Sequence, residues 1–399
     1  MADRVTVELA GEKVRGLLQK DGNRVRMCIV PDGAGARPHA DMNNLALVQA
    51  SLRGADFAVA VGAGTINDLV KLASFQRGIP YIIVATAPSM NGYTSAIAAI
   101  LRAGIKRTVE CRQPFAVIAD LDILCRAPRH LVAAGLGDLE SKPTSTADFR
   151  LSGILRGTYY CKVPEEVVFA AETRAADAAE GLAHGDHASI AALSEALILS
   201  GISMKLAGSS SPASGGEHLI SHYWDMTAKD EGRVEGWHGA QVGVATIVTS
   251  ALYERLRSVD PDEIDVDGLV AARLDDAEYQ ESIASRHGSH GEEVAREFFS
   301  KHLQEREYRA EIEHLRSGWE DIWEGLFDVL RPAARVREIL DAAGAPVNVR
   351  DLGLTADHLR RGYLAARDIR GRFTVLDLAA DLCMLESSSE EVLASSGCL

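Results

Sequence analysis

The sequence predicts an α/β N-terminal domain followed by an all-α C-terminal domain, on three observations. Short, nearly continuous apolar runs recur through the first 125 residues. A glycine turn directly follows one of them. Beyond residue 125 such runs give way to long stretches of helical periodicity. The boundaries expected from this change of texture are 1–125 and 126–399.

The strand-like runs are 26–30, 57–61, 81–85 and 115–119, and 66–77 between two of them reads as a crossover helix. Continuous apolar strands suit a parallel sheet covered on both faces. Strands alternating with helices are the grammar of a nucleotide-binding βαβ domain. In the second half, 131–149, 165–183, 187–206, 239–256 and 292–323 read as helices. The last dozen residues, small and polar from Ser387 onward, read as a loosely held tail.

The chain has 399 residues and a formal charge of −15. Nucleic acid is not expected as a partner, because phosphate-backbone binding needs a basic footprint. A small anionic substrate is not excluded, since a few local cations override the global field. No run approaches the roughly 18 apolar residues of a membrane-spanning helix, so no membrane insertion is expected. The first residues lack the apolar core of a signal peptide. Six cysteines at 28, 111, 125, 161, 383 and 398 form no CxxC pair and read as reduced thiols of a cytoplasmic protein.

Two loops follow predicted strands. The first is Gly62-Ala63-Gly64-Thr65-Ile66-Asn67-Asp68. Glycines let a backbone approach a pyrophosphate, and the following helix N-terminus favours its negative charge. Asn67 stands where the third glycine of GxGxxG would be, and a tight βα turn also uses GxG. The second loop, Thr86-Ala87-Pro88-Ser89-Met90-Asn91-Gly92-Tyr93-Thr94-Ser95, is rich in hydroxyls. Both are expected at the carboxyl edge of the sheet, where ligands of such folds bind.

Glu217-His218-Leu219-Ile220-Ser221-His222 puts two histidines at i and i+4, on one helical face. Trp237-His238-Gly239 lies further on, and Gly135-Leu136-Gly137-Asp138 lies upstream. One carboxylate with histidines is a common catalytic metal set that leaves a position for substrate. Solvated or core histidines would give the same spacing. His184-Gly185-Asp186-His187 and His287-Gly288-Ser289-His290 read as surface turns.

Taken together and in this order, these segments, with Gly208-Ser209-Ser210-Ser211-Pro212-Ala213-Ser214-Gly215-Gly216-Glu217-His218 and His238-Gly239-Ala240-Gln241-Val242-Gly243, resemble the sn-glycerol-1-phosphate dehydrogenase family. That family belongs with the iron-containing alcohol dehydrogenases and 3-dehydroquinate synthase. The likeness spans about residues 24–255. It implies a dehydroquinate synthase-like fold and reduction of dihydroxyacetone phosphate, or of a related small phosphorylated or polyol carbonyl. NAD or NADP is the implied cofactor, with one divalent metal: zinc favoured, iron(II) or nickel as alternatives. It implies metal ligands Asp138, His218 and His238, with His222 facing the substrate in proton transfer. Gly62, Gly64, Thr65 and Asp68 would lie along the cofactor pyrophosphate, with Thr86, Ser89 and Ser95 nearby and Asp32 towards the adenosine ribose. Asn91-Gly92 stands where the family has Asp-Gly, a substrate contact, so a charge is lost and a donor gained. Two further departures are Gly62-Ala63-Gly64, where three glycines are usual, and Lys142-Pro143, where an aromatic usually follows the lysine. Lys142 and Lys205 are the candidate cations for a substrate phosphate. A homo-oligomer is expected. The alternative activity is a dehydroquinate-synthase-type cyclase, a lyase using the same metal and NAD sites.

Overall fold

The computed structural model describes residues 1–102 and 105–399. Strand β1 (Ala2–Asp3) pairs in parallel with β2 (Ile29–Val30). Strands β3 (Ala58–Gly62), β4 (Tyr81–Ala85) and β7 (Ala116–Ile118) form a second parallel sheet in the order β3-β4-β7. Hydrogen bonds from the Met1 amine to Val59 O (2.8 Å) and from Val61 N to Met1 O (2.8 Å) join the two. All four predicted runs contain strands, and 81–85 is reproduced residue for residue. Val30, Ala60 and Ile83 are fully buried, but Ile29 and Ile118 are exposed, so β2 and β7 are not covered on both faces.

Helices α1 (Glu12–Lys20), α2 (Met42–Ser51) and α3 (Gly64–Arg77) complete this half, and α3 is the predicted crossover. Residues 97–110 carry no expected element. They form an antiparallel hairpin of β5 (Ile97–Arg102) and β6 (Ile105–Glu110) with Ile97 opposite Glu110. Ala98 and Ile100 are buried and Ala99 and Leu101 less so, a period of two carried mostly by small side chains. The hairpin packs on α3 and reaches the helical half.

The predicted 131–149 helix is two: α4 (Arg129–Leu139) and α5 (Lys142–Arg156). Pro143 accounts for the break, since proline lacks the N–H a continuous helix needs but suits a first helical turn. The 165–183 stretch divides after α6 (Val163–Asp177). Helix α7 (His187–Ala207) follows the prediction closely. So does α9 (His238–Arg257), with α8 (Gly216–Ala228) between them. The 292–323 stretch divides into α10 (Gly291–Phe299), Glu305–Ser317 and Trp319–Phe327.

One helix bears on the membrane expectation, and the expected tail needs correction. By length and mean hydropathy (1.5), α7 is apolar enough to cross a bilayer, although it carries no run of 18 apolar residues; half of the relevant window is buried, and α7 packs against α6. The expected loose tail is instead largely helical, as α11 (Ser389–Ser396). Val392 and Cys398 are fully buried, and Val349 N donates to Cys398 O at 3.0 Å. The serines that suggested a tail bond back to main-chain carbonyls while Val392 and Leu393 enter the core. Buried apolar residues from Val30 to Cys398 form one continuous cluster across both halves.

Candidate active site

Asp138 ends α4, His218 lies in the first turns of α8, and His238 opens α9. Ligand atoms of all three lie within 4.8 Å of one another. This closeness depends on glycine. A Cβ on Gly239 would collide with Ala134 O, and one on Gly137 with Gly239 O. Backbone therefore meets backbone between α4 and α9, and Asp138 reaches His238.

The donor set fits a divalent metal. Asp138 and His218 are buried and His238 is half-buried. Burial alone would raise the Asp138 carboxyl, but Lys142, with Nζ 3.8 Å away, and His218, with Nε2 3.5 Å away, hold it well below the usual carboxylate range. The group is thus an anion with two histidines beside it, the composition of a catalytic metal site.

Surrounding groups aim these ligands. Glu217 Oε1 lies 2.7 Å from His218 Nδ1, which leaves Nε2 facing Asp138. Glu217 in turn accepts from Gly215 N (2.7 Å) and Thr144 Oγ1 (3.1 Å). Ser221 Oγ lies 3.3 Å from His238 Nδ1 and donates to Gln241 Oε1 at 2.9 Å. Carboxylate or hydroxyl partners on the far imidazole nitrogen are the usual outer support of metal-bound histidine. His222 stacks on His238 with ring centres 5.4 Å apart and planes 11° apart. It also borders a small cleft.

Asn91 sits on the other side of Asp138 and donates to it from both main chain and side chain. Lys142 is buried behind Asp138 and donates to Ser141 Oγ (2.9 Å) and Ala213 O (3.0 Å). Lys205 is exposed on α7.

At the sheet edge, Gly62 ends β3 and Gly64 begins α3, with Thr65 partly exposed beside it. A Cβ on Gly62 would come within 2.6 Å of the Ile66 Cβ, so the turn tolerates no side chain. Thr86 N donates to Gly62 O at 3.2 Å and ties the second loop to the first. Thr86 is buried and Ser89 half-buried. Asp68 Oδ2 accepts from Ala99 N of the hairpin at 3.0 Å. Ser95 is buried and accepts from Lys71 Nζ at 3.2 Å. Asp32 follows β2 and pairs with Arg4 at 3.2 Å.

Lys71 is a further residue of this region with little signal in the sequence. Its fully buried Nζ also donates to Gly92 O (2.6 Å) and Ile97 O (2.9 Å), clamping α3, the second loop and the hairpin together. The available signal was a lysine inside the apolar run Leu69, Val70, Leu72 and Ala73. Glu217 was visible only as part of a motif. One expectation is corrected: His287 is not in a surface turn but buried, with Nε2 2.9 Å from Asp368 Oδ2. His184 and His187 are exposed as expected.

Known proteins bear on this arrangement. Residues 1–128 match the family described as iron-containing alcohol dehydrogenase. The chain is 32% identical over 376 residues to a glycerol-1-phosphate dehydrogenase [NAD(P)+] of Bacillus licheniformis, covering 94% of this chain and 80% of that protein. It is 41% identical over 255 residues to the Halalkalibacterium halodurans enzyme of that name, covering 64% of each. Among solved structures, a glycerol dehydrogenase of Schizosaccharomyces pombe superposes with a TM-score of 0.61 at 16% identity, covering 100% of this chain and 85% of that one. An NADH-dependent butanol dehydrogenase A of Thermotoga maritima gives 0.57 at 14% identity, covering 96% and 89%. These structures show the fold, an α/β domain joined to a helical one as in the iron-containing alcohol dehydrogenases. Within that superfamily, the chain belongs to the glycerol-1-phosphate dehydrogenase family.

Proposed function

We propose that this protein is an NAD(P)-linked, metal-dependent oxidoreductase that reduces dihydroxyacetone phosphate to sn-glycerol 1-phosphate. The observation that carries the reading is the convergence of Asp138, His218 and His238 beside His222. Residues 1–125 form the nucleotide-binding part in this reading, and 126–399 the metal and substrate part. Gly62, Gly64, Thr65, Asp68, Thr86, Ser89, Ser95 and Asp32 serve the dinucleotide, NAD or NADP. A cytoplasmic location, in keeping with six unpaired thiols, and a homo-oligomeric assembly belong to the same reading.

Asp138, His218 and His238 would hold the metal, zinc by preference. A divalent metal there supplies Lewis acidity to a carbonyl, and a reduced nicotinamide supplies hydride. The residues of the chain do the rest. Glu217 fixes the His218 ring so that Nε2 faces inward. Asn91 holds both Asp138 oxygens. His222, at the cleft, passes a proton from an imidazole nitrogen to the substrate oxygen as the alcohol forms. Burial of Asp138, His218 and Glu217 keeps bulk water from these groups, while His238 is half-buried.

The test is oxidation of NADH or NADPH by the zinc-loaded protein with dihydroxyacetone phosphate, with the product scored for chirality. Net consumption of reduced nicotinamide is expected, and it separates this reading from a cyclase that regenerates its NAD each cycle. His238→Ala should lose bound metal and turnover while staying folded. Turnover of another carbonyl but not of dihydroxyacetone phosphate would reject the substrate. A fully active, metal-bound His238→Ala would reject the ligand set.

A further inference from the structure

The cleft beside His222 has a charged wall that the reading above does not use. Arg107 projects from β6, and Arg370 follows the helical turn Ala366–Ile369; both line the cleft with His222, Met226, Ile369 and the carboxylates Glu293 and Glu297. Neither of the two lysines expected to meet a substrate phosphate lines this cleft. Lys142 is spent behind Asp138, and Lys205 faces outward on α7.

We propose that Arg107 and Arg370 form the subsite for the phosphate of the substrate, separating a phosphorylated three-carbon carbonyl from its unphosphorylated counterpart. The proposal rests on the function given above. Guanidinium groups match phosphate oxygens as forks, and each carries five N–H donors. Glu293 pairs with Arg107, and Glu297 accepts from Gly371 N (3.2 Å) next to Arg370. Arg370 Nη1 also donates to Ile369 O (3.2 Å), and a phosphate would be one more acceptor for the five-donor fork. Burial lowers the Arg370 pKa; Glu297 opposes this, and the neighbouring Arg107 adds to it. Glu293 and Glu297 offset the two cations at rest, so an entering dianion competes with them for the guanidinium donors. Met226 and Ile369 add an apolar surface to the same cleft for the short carbon skeleton. The hairpin that carries Arg107 belongs to the N-terminal half and packs on α8, so the subsite is built from both halves of the chain.

The test compares kcat/KM for dihydroxyacetone phosphate with that for dihydroxyacetone, in the metal-loaded wild type and in Arg107→Ala, Arg370→Ala and Arg370→Lys. The ratio of the two should fall roughly tenfold to a hundredfold in each alanine variant, mainly through KM for the phosphorylated substrate. The lysine variant should recover part of it. A merely structural role would lower both substrates together and leave the ratio unmoved, which overturns the proposal. Calorimetric titration with sn-glycerol 1-phosphate is a second readout: wild type should bind it and the alanine variants bind it more weakly. If wild type binds this ligand through the arginines yet reduces no dihydroxyacetone phosphate, the reaction is wrong and the subsite stands. If wild type reduces it and the variants match wild type in both measurements, the subsite is wrong and the reaction stands.

Discussion

Asn91 grips Asp138 at both carboxylate oxygens: its main-chain N–H donates to Oδ2 at 2.9 Å and its Nδ2 to Oδ1 at 3.2 Å. An aspartate at position 91 would place a second carboxylate against the first and lose the side-chain donor. The amide thus acts on the proposed metal ligand itself. Asn91→Ala removes one of the two bonds, and metal affinity should fall about tenfold, the scale of outer-shell losses at metal sites. Competition with a chelator measures it; wild-type affinity would refute this role.

Lys71 joins three segments through one ammonium group. Lys71→Met keeps the length and burial but leaves Gly92 O and Ile97 O without this donor. Each lost partner costs about 1–3 kcal/mol, so urea unfolding should shift by an amount of that order. Because the clamp supports the edge proposed to hold the dinucleotide, nicotinamide binding should weaken as well, read by fluorescence titration.

Gly239→Ala sets a methyl group against Ala134 O. Overpacking of this kind costs about 1–3 kcal/mol, and relief requires α4 and α9 to part. The thermal midpoint should drop. Bound zinc should drop with it, because Asp138 and His238 sit on the two helices that separate. Loss of midpoint with unchanged zinc affinity would show that the close approach serves packing alone.

His302 gives a pH dependence away from the cleft. Burial, then Arg273, push its imidazole down to about 4 from 6.5. The folded protein therefore stays neutral here while the unfolded chain takes up a proton, so stability falls as pH drops from about 6.5 through 4. In His302→Gln this component is absent. The fall in melting temperature between about pH 7 and about pH 5 should be smaller in the variant than in wild type; equal falls would place the acid sensitivity elsewhere.

Much of this arrangement is legible in the sequence because it rests on local spacing. Four strands announce themselves as apolar runs, and the i, i+4 pair His218 and His222 shares a helix face by geometry alone. What escapes is of two kinds. Some elements lack contrast: Ala98 and Ala99 alternate in burial but hardly in hydrophobicity, and the serines of 387–396 disguise a helix. Other features exist only between distant positions. Nothing near Arg107 in the chain indicates Arg370, and nothing near Asn91 indicates Asp138. Lys142 shows the converse, since its proximity to Asp138 in sequence suggests a substrate cation, while its three-dimensional partners are Ser141, Ala213 and Asp138.

Helix α9 joins two places that no ligand would touch together. It opens with His238, and one of its inner residues, Val244, has its carbonyl 3.7 Å from the Cys398 thiol, while α11 packs along its flank. Anything that binds the folded form makes its opening rarer by mass action. Amide hydrogen exchange and protease cleavage in residues 389–398 should therefore slow when zinc is added. A segment with no ligand atom of its own would serve as a gauge of occupancy at the other end of the helix.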